Sequence, residues 1–285
     1  MLNVTSVLTA IVSERATEHF RALYPRASCA RLDLAVTVAH TALAAIARSD
    51  ALYHNVEHTT HVTLVGMQIL RGKQEREHSV SPEAWSNTVI ALLCHDIGYV
   101  RGLCRNDTGA ALATGVDNQM YRTVAGTSDA VLMPIHVNRG KRFIEEHFFD
   151  SDLVDTQFIN ACIERTRFPV PDDAWYAQTA DFPGLVRAAD LIGQLSDPRY
   201  LNKLSAIFYE FEEVGFNQVL GYARPGDLLN NYPGFFDKSV APYIGVGASY
   251  LEHTAEGRDV LSHLYANLAT ARAGLAPELR AAANS

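Results

Sequence analysis

The stretch ALYHNVEHTTHV, residues 51–62, places His54, His58 and His61 within eight positions. On a helix, His54 and His58 share one face about 6 Å apart along the axis, and His61 flanks it. Imidazoles so spaced can ligate a metal, pass a proton or simply pack, and the run alone does not choose among these. A second piece is NTVIALLCHDIGY (87–99), a near-continuous apolar helix that ends in His95 and Asp96. An apolar run implies burial on most faces, and a buried aspartate is normally paired or metal-bound. In the third piece, FPGLVRAADLIGQL (182–195), Asp190 interrupts an otherwise apolar helix after two alanines. Small residues let helices approach closely, and a carboxylate among them calls for a cation. The bland partner is Arg187, three residues earlier, although such pairs usually lie on the surface.

Together, His58, His95, Asp96 and Asp190 form a mixed imidazole and carboxylate set. Such a set suits Zn, Fe, Mn, Ni or Co, with Mg accepted on the oxygen side. Thiolates play no part. Cys29, Cys94, Cys104 and Cys162 are scattered without a CxxC pair, which argues against a structural zinc site and against a disulfide framework.

This order, a histidine, then His-Asp, then a distant Asp, resembles the signature of the HD-domain metal-dependent phosphohydrolases. More narrowly, YHNVEHTTHV is similar to the YHNxxHAxDV motif of class I cyclic-nucleotide phosphodiesterase catalytic domains, and ALLCHDIGY to their ALxHDxDH. VLMPIHVNRGKRFIEE (131–146) resembles their VLENHH helix, with His136 on the second histidine. CIERTRF (162–168), RAADLIGQLSDP (187–198) and IFYEFEEVG (207–215) resemble VLxTDMxxH, HAADISNP and EFFxQGD. The matches keep their order across residues 53–215.

The resemblance implies that His58, His95, Asp96 and Asp190 bind two divalent metal ions, that Asp96 bridges them with a shared hydroxide that attacks phosphorus, and that His54 protonates the leaving oxygen. The chemistry answers a physical need. Two metals lower the pKa of a bridging water and clamp phosphoryl oxygens as charge builds. Histidine titrates in the right range to protonate a leaving alkoxide. His136, Asn55, Tyr99, Phe235 and Phe236 are candidates to support the site or touch substrate: His136 by lining it or completing the second ion's shell, and a phenylalanine by stacking on a base. Glu57 is a candidate to orient His54, with an exposed face as its alternative, and His61 stays unassigned.

Departures from the motifs narrow the implication. Gly98 stands for an Asp and Tyr99 for a His of HDxDH, and Pro134 stands for the Asn of VLENHH. No glutamine precedes the phenylalanines of FFDKSVAPYI (235–244), so specificity for cyclic AMP or GMP does not carry over. The expected function is a metal-dependent phosphodiesterase acting on a small nucleotide-like phosphoester. Two alternatives stand beside it: a di-iron oxygenase of the HD type, with His136 and His147 as extra ligands, and a non-catalytic metal- or nucleotide-binding module.

The elements that must position these residues are helices. Apolar residues recur at helical spacing through Leu32–Leu43, Val62–Leu70, Ala84–Ile97, Val131–Phe148, Thr156–Thr166, Gly184–Leu195, Tyr200–Val214 and Ala241–Leu275, while strict alternation is scarce. The spacing predicts an all-α, single compact multi-helix domain over residues 1–285, with 276–285 a frayed tail. Three Gly-, Pro- or Asn-rich stretches, 99–128, 168–173 and 222–234, break the pattern. The first follows the candidate site and reads as its wall or lid.

Bulk properties bound the partners. The chain has 285 residues, a net charge of −8 and no Lys/Arg cluster, which argues against duplex nucleic acid or an anionic membrane surface as partner. A small phosphorylated substrate remains compatible, because a buried metal cluster outweighs distant surface charge; so does a homodimer. The N-terminal stretch lacks a basic region and meets Glu14 early, so it reads as an amphipathic helix and not a signal peptide. Residues 34–47 are too short and interrupted to span a bilayer. A cytoplasmic protein is expected.

Overall fold

A computed structural model describes residues 3–109 and 111–283 of the chain. Its architecture is all-α, as the periodicity predicts. The helices that build the candidate site begin where their capping residues dictate. α1 (Val4–Leu23) starts at Asn3 and α2 (Ala30–Ile46) follows. α3 (Val56–Glu77) is capped by Asn55, whose Oδ1 accepts from the Glu57 and His58 amides. α4 (Pro82–Cys94) starts at Ser81 with a proline in its first turn, where a missing N–H costs nothing.

After α4 comes a 3-10 turn, Ile97–Tyr99. A short antiparallel hairpin, β1 (Ala111–Ala113) and β2 (Met120–Arg122), lies inside the loop that follows. The expected continuous helix over 131–148 is instead a 3-10 turn, Asp129–Leu132, and then α5 (His136–Phe148). Pro134 stands at the break, where it has no N–H to continue the ladder. α6 (Thr156–Arg165) and α7 (Phe182–Leu195) come next, the latter capped by Asp181.

α8 (Tyr200–Glu213), α9 (Phe216–Leu220) and α10 (Pro225–Phe235) follow. α10 corrects the expected break at 222–234: Pro225 sits in the first turn, where proline favours a helix. Pro233 lies near its end, and a π-helical turn, Phe236–Val240, leads into α11 (Ala241–Leu251). α12 (Ala255–Ala283) is separate from α11, so the expected segment 241–275 is two helices. The expectation of a frayed end over 276–285 falls in part on Asn284 and Ser285, which lie outside the described residues.

One apolar core runs from Val12 in α1 to Ala271 in α12, with α4 contributing Trp85, Ile90, Leu92 and Leu93. α3 and α7 pack most extensively. They cross at Gly193, where a Cβ would meet the Val62 Cα at 2.8 Å. His58 lies one turn before Val62 and Asp190 one turn before Gly193, so this close crossing brings the two side chains together.

The loop 99–128 is pinned. Arg139, fully buried in α5, donates to the Gly98, Val100 and Ala113 carbonyls at 2.7–2.8 Å and to both carboxylate oxygens of Asp107 at 2.8 and 3.0 Å. Asp107 also accepts from the Leu103, Cys104 and Ala113 amides. A second small apolar cluster, Tyr99, Leu112, Val131 and Leu132, ties the hairpin to the end of the α4 turn. The described residues of the loop thus form a wall beside Tyr99.

Candidate metal centre

α3, the end of α4 and α7 deliver the ligand candidates. His58, in the first turn of α3, places Nε2 at 3.3 Å from His95 Nε2 and 3.5 Å from Asp190 Oδ1. His95 Nε2 lies 3.6 Å from Asp190 Oδ1. Among the described residues, His58, His95 and Asp190 form a set whose ligand atoms all lie within 4.8 Å of one another, so this cluster can hold a metal. Asp96 reaches both imidazoles through Oδ2, at 3.1 Å from His58 and 3.2 Å from His95, without closing the same mutual set.

The donor chemistry fits a cation. His95 Nδ1 donates to the Leu92 carbonyl at 2.7 Å, and in that tautomer Nε2 presents a lone pair to the cluster. Asp96 Oδ2 is buried without a hydrogen-bond partner, although two imidazole nitrogens lie within 3.2 Å. Electron pairs thus converge from four side chains on one buried place, an arrangement that a shared cation stabilises.

Electrostatics agree. Burial opposes charge on His95, yet Asp96 and Asp190 outweigh it and hold its pKa well above the usual value. Burial pushes Asp190 up, but His58 and His95 prevail and lower its pKa to about 2. Asp96 is likewise held well below the carboxylate range against its burial, chiefly by His95. The carboxylates stay ionised and demand positive charge, which a proton on His95 supplies when no metal does. Arg187 does not supply it. Its guanidinium donates to the Tyr176 and Gln178 carbonyls and lies over the Tyr243 ring, 3.9 Å from the centroid. The bland pairing of Asp190 with Arg187 is absent.

His54 stands beside the cluster, its ring 5.5 Å from that of His58. Nδ1 lies 2.5 Å from Glu210 Oε2, and Glu210 Oε1 accepts from the Tyr53 and His54 amides at 2.6 and 3.2 Å. Burial disfavours the imidazolium, but the Glu210 carboxylate overcomes it and raises the His54 pKa to about 9. The imidazole is therefore charged at neutral pH. Glu210 was missed as an individual residue in the sequence, although it lies in the IFYEFEEVG stretch. The signal that could have found it is its place three residues after Ile207, on the face of α8 that carries buried Leu204 and Ile207.

The supporting candidates divide. His136, the first residue of α5, donates from Nδ1 to the Met133 carbonyl at 2.6 Å and turns Nε2 toward Asp96 Oδ1 at 3.7 Å. Burial lowers its pKa to about 4, which keeps it neutral. It reaches the site because Gly98 has no side chain: a Cβ there would meet the His136 carbonyl oxygen at 1.9 Å. Tyr99 is buried with its ring between those of His54 and His136.

The other candidates take the following places. Asn55 is the cap of α3; its Oδ1 serves the helix amides and its Nδ2 the Leu52 carbonyl, so it orients His58 through the backbone and is not free for substrate. Phe236 is buried in the core on the π turn, its ring 6.5 Å from Tyr232, which leaves no face for a base. Phe235 sets its ring edge-on to Phe168 at 5.9 Å. Glu57 pairs with Arg199 and Lys203 and does not orient His54. His61, on the same helix, has Asp197 and Lys203 as charged neighbours and stands outside the cluster. His147 lies near the far end of α5, bonded to the Phe143 carbonyl. A surface cleft of about 650 Å³, lined in part by Asn138, Lys141, Glu164 and Trp175, includes none of the ligand candidates.

Comparison with known proteins places the chain in one family. The Npun_R2479-like family matches residues 2–273, and the chain belongs to it. No curated protein matches the chain. Among the described residues, no helix is long and apolar enough to cross a membrane.

Proposed function

We propose that this Npun_R2479-like chain is a metal-dependent phosphohydrolase, a phosphodiesterase acting on a small nucleotide-like phosphoester. The observation that carries the reading is the convergence of His58, His95, Asp96 and Asp190 beside a histidine kept protonated by a buried carboxylate. His58, His95, Asp96 and Asp190 would hold the divalent cations, Asp96 lying with Oδ2 near the imidazoles of His58 and His95 and Oδ1 on the side of His136. Bound divalent ions lower the pKa of a water to near neutrality and offset charge on the phosphoryl oxygens.

The protein's own groups do the rest. His54 holds a proton on its ring at neutral pH because Glu210 stabilises the imidazolium. With Nδ1 committed to Glu210, Nε2 is the atom that donates to the leaving oxygen. His136, neutral and aimed at Asp96, accepts a hydrogen bond from water or substrate at that edge.

The test is turnover by purified protein loaded in turn with Zn, Mn, Fe, Ni, Co and Mg. The substrates are bis(p-nitrophenyl) phosphate, cyclic nucleotides and other phosphoesters. Activity that disappears in Asp96→Ala is expected; no turnover on any substrate with any metal overturns the reading.

A second reading is O₂-dependent oxidation at a di-iron centre. The third imidazole, His136 at 3.7 Å from Asp96, favours it. Two tightly held irons with substrate-dependent O₂ uptake would select it over hydrolysis.

A further inference from the structure

Two imidazoles of the site are each tied at a single point. His54 is held at Nδ1 by Glu210, and His136 at Nδ1 by the Met133 carbonyl. One hydrogen bond fixes a ring nitrogen but not the ring plane, because the ring can still swing about that bond. Tyr99 supplies what is missing. Its ring stacks on His54 with centroids 4.7 Å apart and planes 12° apart, and on His136 at 4.5 Å and 20°.

Tyr99 in turn cannot move freely. It is 2% exposed and packs with Leu112 of the hairpin and with Val131 and Leu132. The backbone on either side of it is clamped, since Arg139 holds the Gly98 and Val100 carbonyls. A rigid wall therefore presents one aromatic face to each histidine.

We infer that Tyr99 is a positioning residue: its ring sets the planes of both His54 and His136, and the hairpin loop acts on the site through it. The inference rests on the role proposed for His54 as proton donor. At this position the phosphodiesterase motif that the sequence resembles carries a histidine, so the aromatic sandwich belongs to this chain's own pattern.

The experiment compares Tyr99→Phe and Tyr99→Leu on two substrates. Bis(p-nitrophenyl) phosphate releases a stable phenolate that needs little protonation, whereas a 3′,5′-cyclic nucleotide releases an alkoxide that needs the acid. Tyr99→Leu is expected to lower kcat on the alkoxide-leaving substrate at least about tenfold more than on bis(p-nitrophenyl) phosphate, whose smaller loss reports the contact of His136 that both substrates share, with KM within about threefold of the parent. Tyr99→Phe keeps the stack and keeps both rates. Metal content stays unchanged in both variants. Proton–carbon NMR of histidine-labelled, metal-free protein gives a readout independent of turnover: the Cε1–H signals of His54 and His136, shielded by the Tyr99 ring, move downfield in Tyr99→Leu and stay in Tyr99→Phe.

Equal losses on the two substrates, or Tyr99→Phe failing like Tyr99→Leu, overturn the inference. If Tyr99→Leu does not fold, Leu112→Ala loosens the same ring from the hairpin side and is read the same way, by leaving-group selectivity and by the two histidine signals. If the parent protein hydrolyses no phosphoester, the proposed function fails, and the NMR comparison alone decides: unmoved histidine signals overturn the positioning role.

Discussion

Arg139 with Asp107, and His58 with His95, Asp96 and Asp190, are two polar clusters withdrawn from water in the same molecule, and residues 98–100 touch both. In the first, all five guanidinium N–H groups find acceptors, and both oxygens of Asp107 are bonded by backbone and guanidinium donors. In the second, Asp96 Oδ2 and His58 Nδ1 have no hydrogen-bond partner, and each of the two imidazoles lies within 4 Å of both carboxylates. A satisfied cluster holds chain segments together and asks for nothing more. An unsatisfied one at equal depth costs free energy until a ligand arrives. The contrast sets a self-satisfied structural node apart from the cluster proposed here as a metal site.

The largest expected effect breaks the second cluster. Asp96→Ala should reduce turnover to background and abolish metal-induced stabilisation. In the parent that stabilisation is about 4 kcal/mol at a free metal concentration a thousandfold above Kd, read as a thermal shift with and without metal.

The first cluster should behave in the opposite way. Asp107→Ala leaves Arg139 buried and unpaired and should cost about 3–5 kcal/mol of stability, with or without metal, by denaturant titration. The pH dependence follows from the same pair. Burial raises the Asp107 pKa, but Arg139 outweighs it and lowers it below the ordinary value. Its contribution is thus complete above the unfolded aspartate pKa of about 3.9 and is lost as pH falls through the lower folded value. The stability gap between the parent and Asp107→Asn should be flat above that pH and shrink below it.

Glu210→Gln sharpens the comparison at the edge of the second cluster. It keeps the shape and a hydrogen bond but removes the charge that holds the His54 pKa at about 9. Turnover of an alkoxide-leaving substrate at pH 8 should fall at least about tenfold. The basic limb of its pH profile should move from near 9 toward the ordinary histidine value of about 6.5. The smallest effect is at Asn55. As a helix cap, Asn55→Ala should cost about 1 kcal/mol in denaturant unfolding, with KM for the substrate unchanged.

Much of the candidate site was legible because each of its parts violates a local expectation. Asp96 and Asp190 sit in apolar helices, where a carboxylate has no reason to be unless it meets a cation. The same logic missed Arg139 and Asp107, because Asp107 lies in a polar loop where a carboxylate arouses no suspicion. Asn55 was read only as a site residue, although an Asn just before a helical pattern is also the usual signal of a cap, which is what it proves to be. The hairpin was invisible because its strands are three residues long, too short to show alternation. The partnership of His54 with Glu210 spans more than 150 positions and depends on tertiary packing that neither segment encodes alone.

The bond between His95 and the Leu92 carbonyl has an electrical consequence. Leu92 lies in the last turn of α4, whose final carbonyls have no amide partner within the helix and carry the negative end of its dipole. By donating Nδ1–H to one of them, the imidazole becomes a conductor of that partial charge, and its Nε2 gains electron density toward the cluster. The thirteen-residue helix therefore acts as a remote electrostatic extension of the His95 imidazole. Its field comes from the backbone, so side-chain substitutions along α4 cannot switch it off, and burial shelters it from salt.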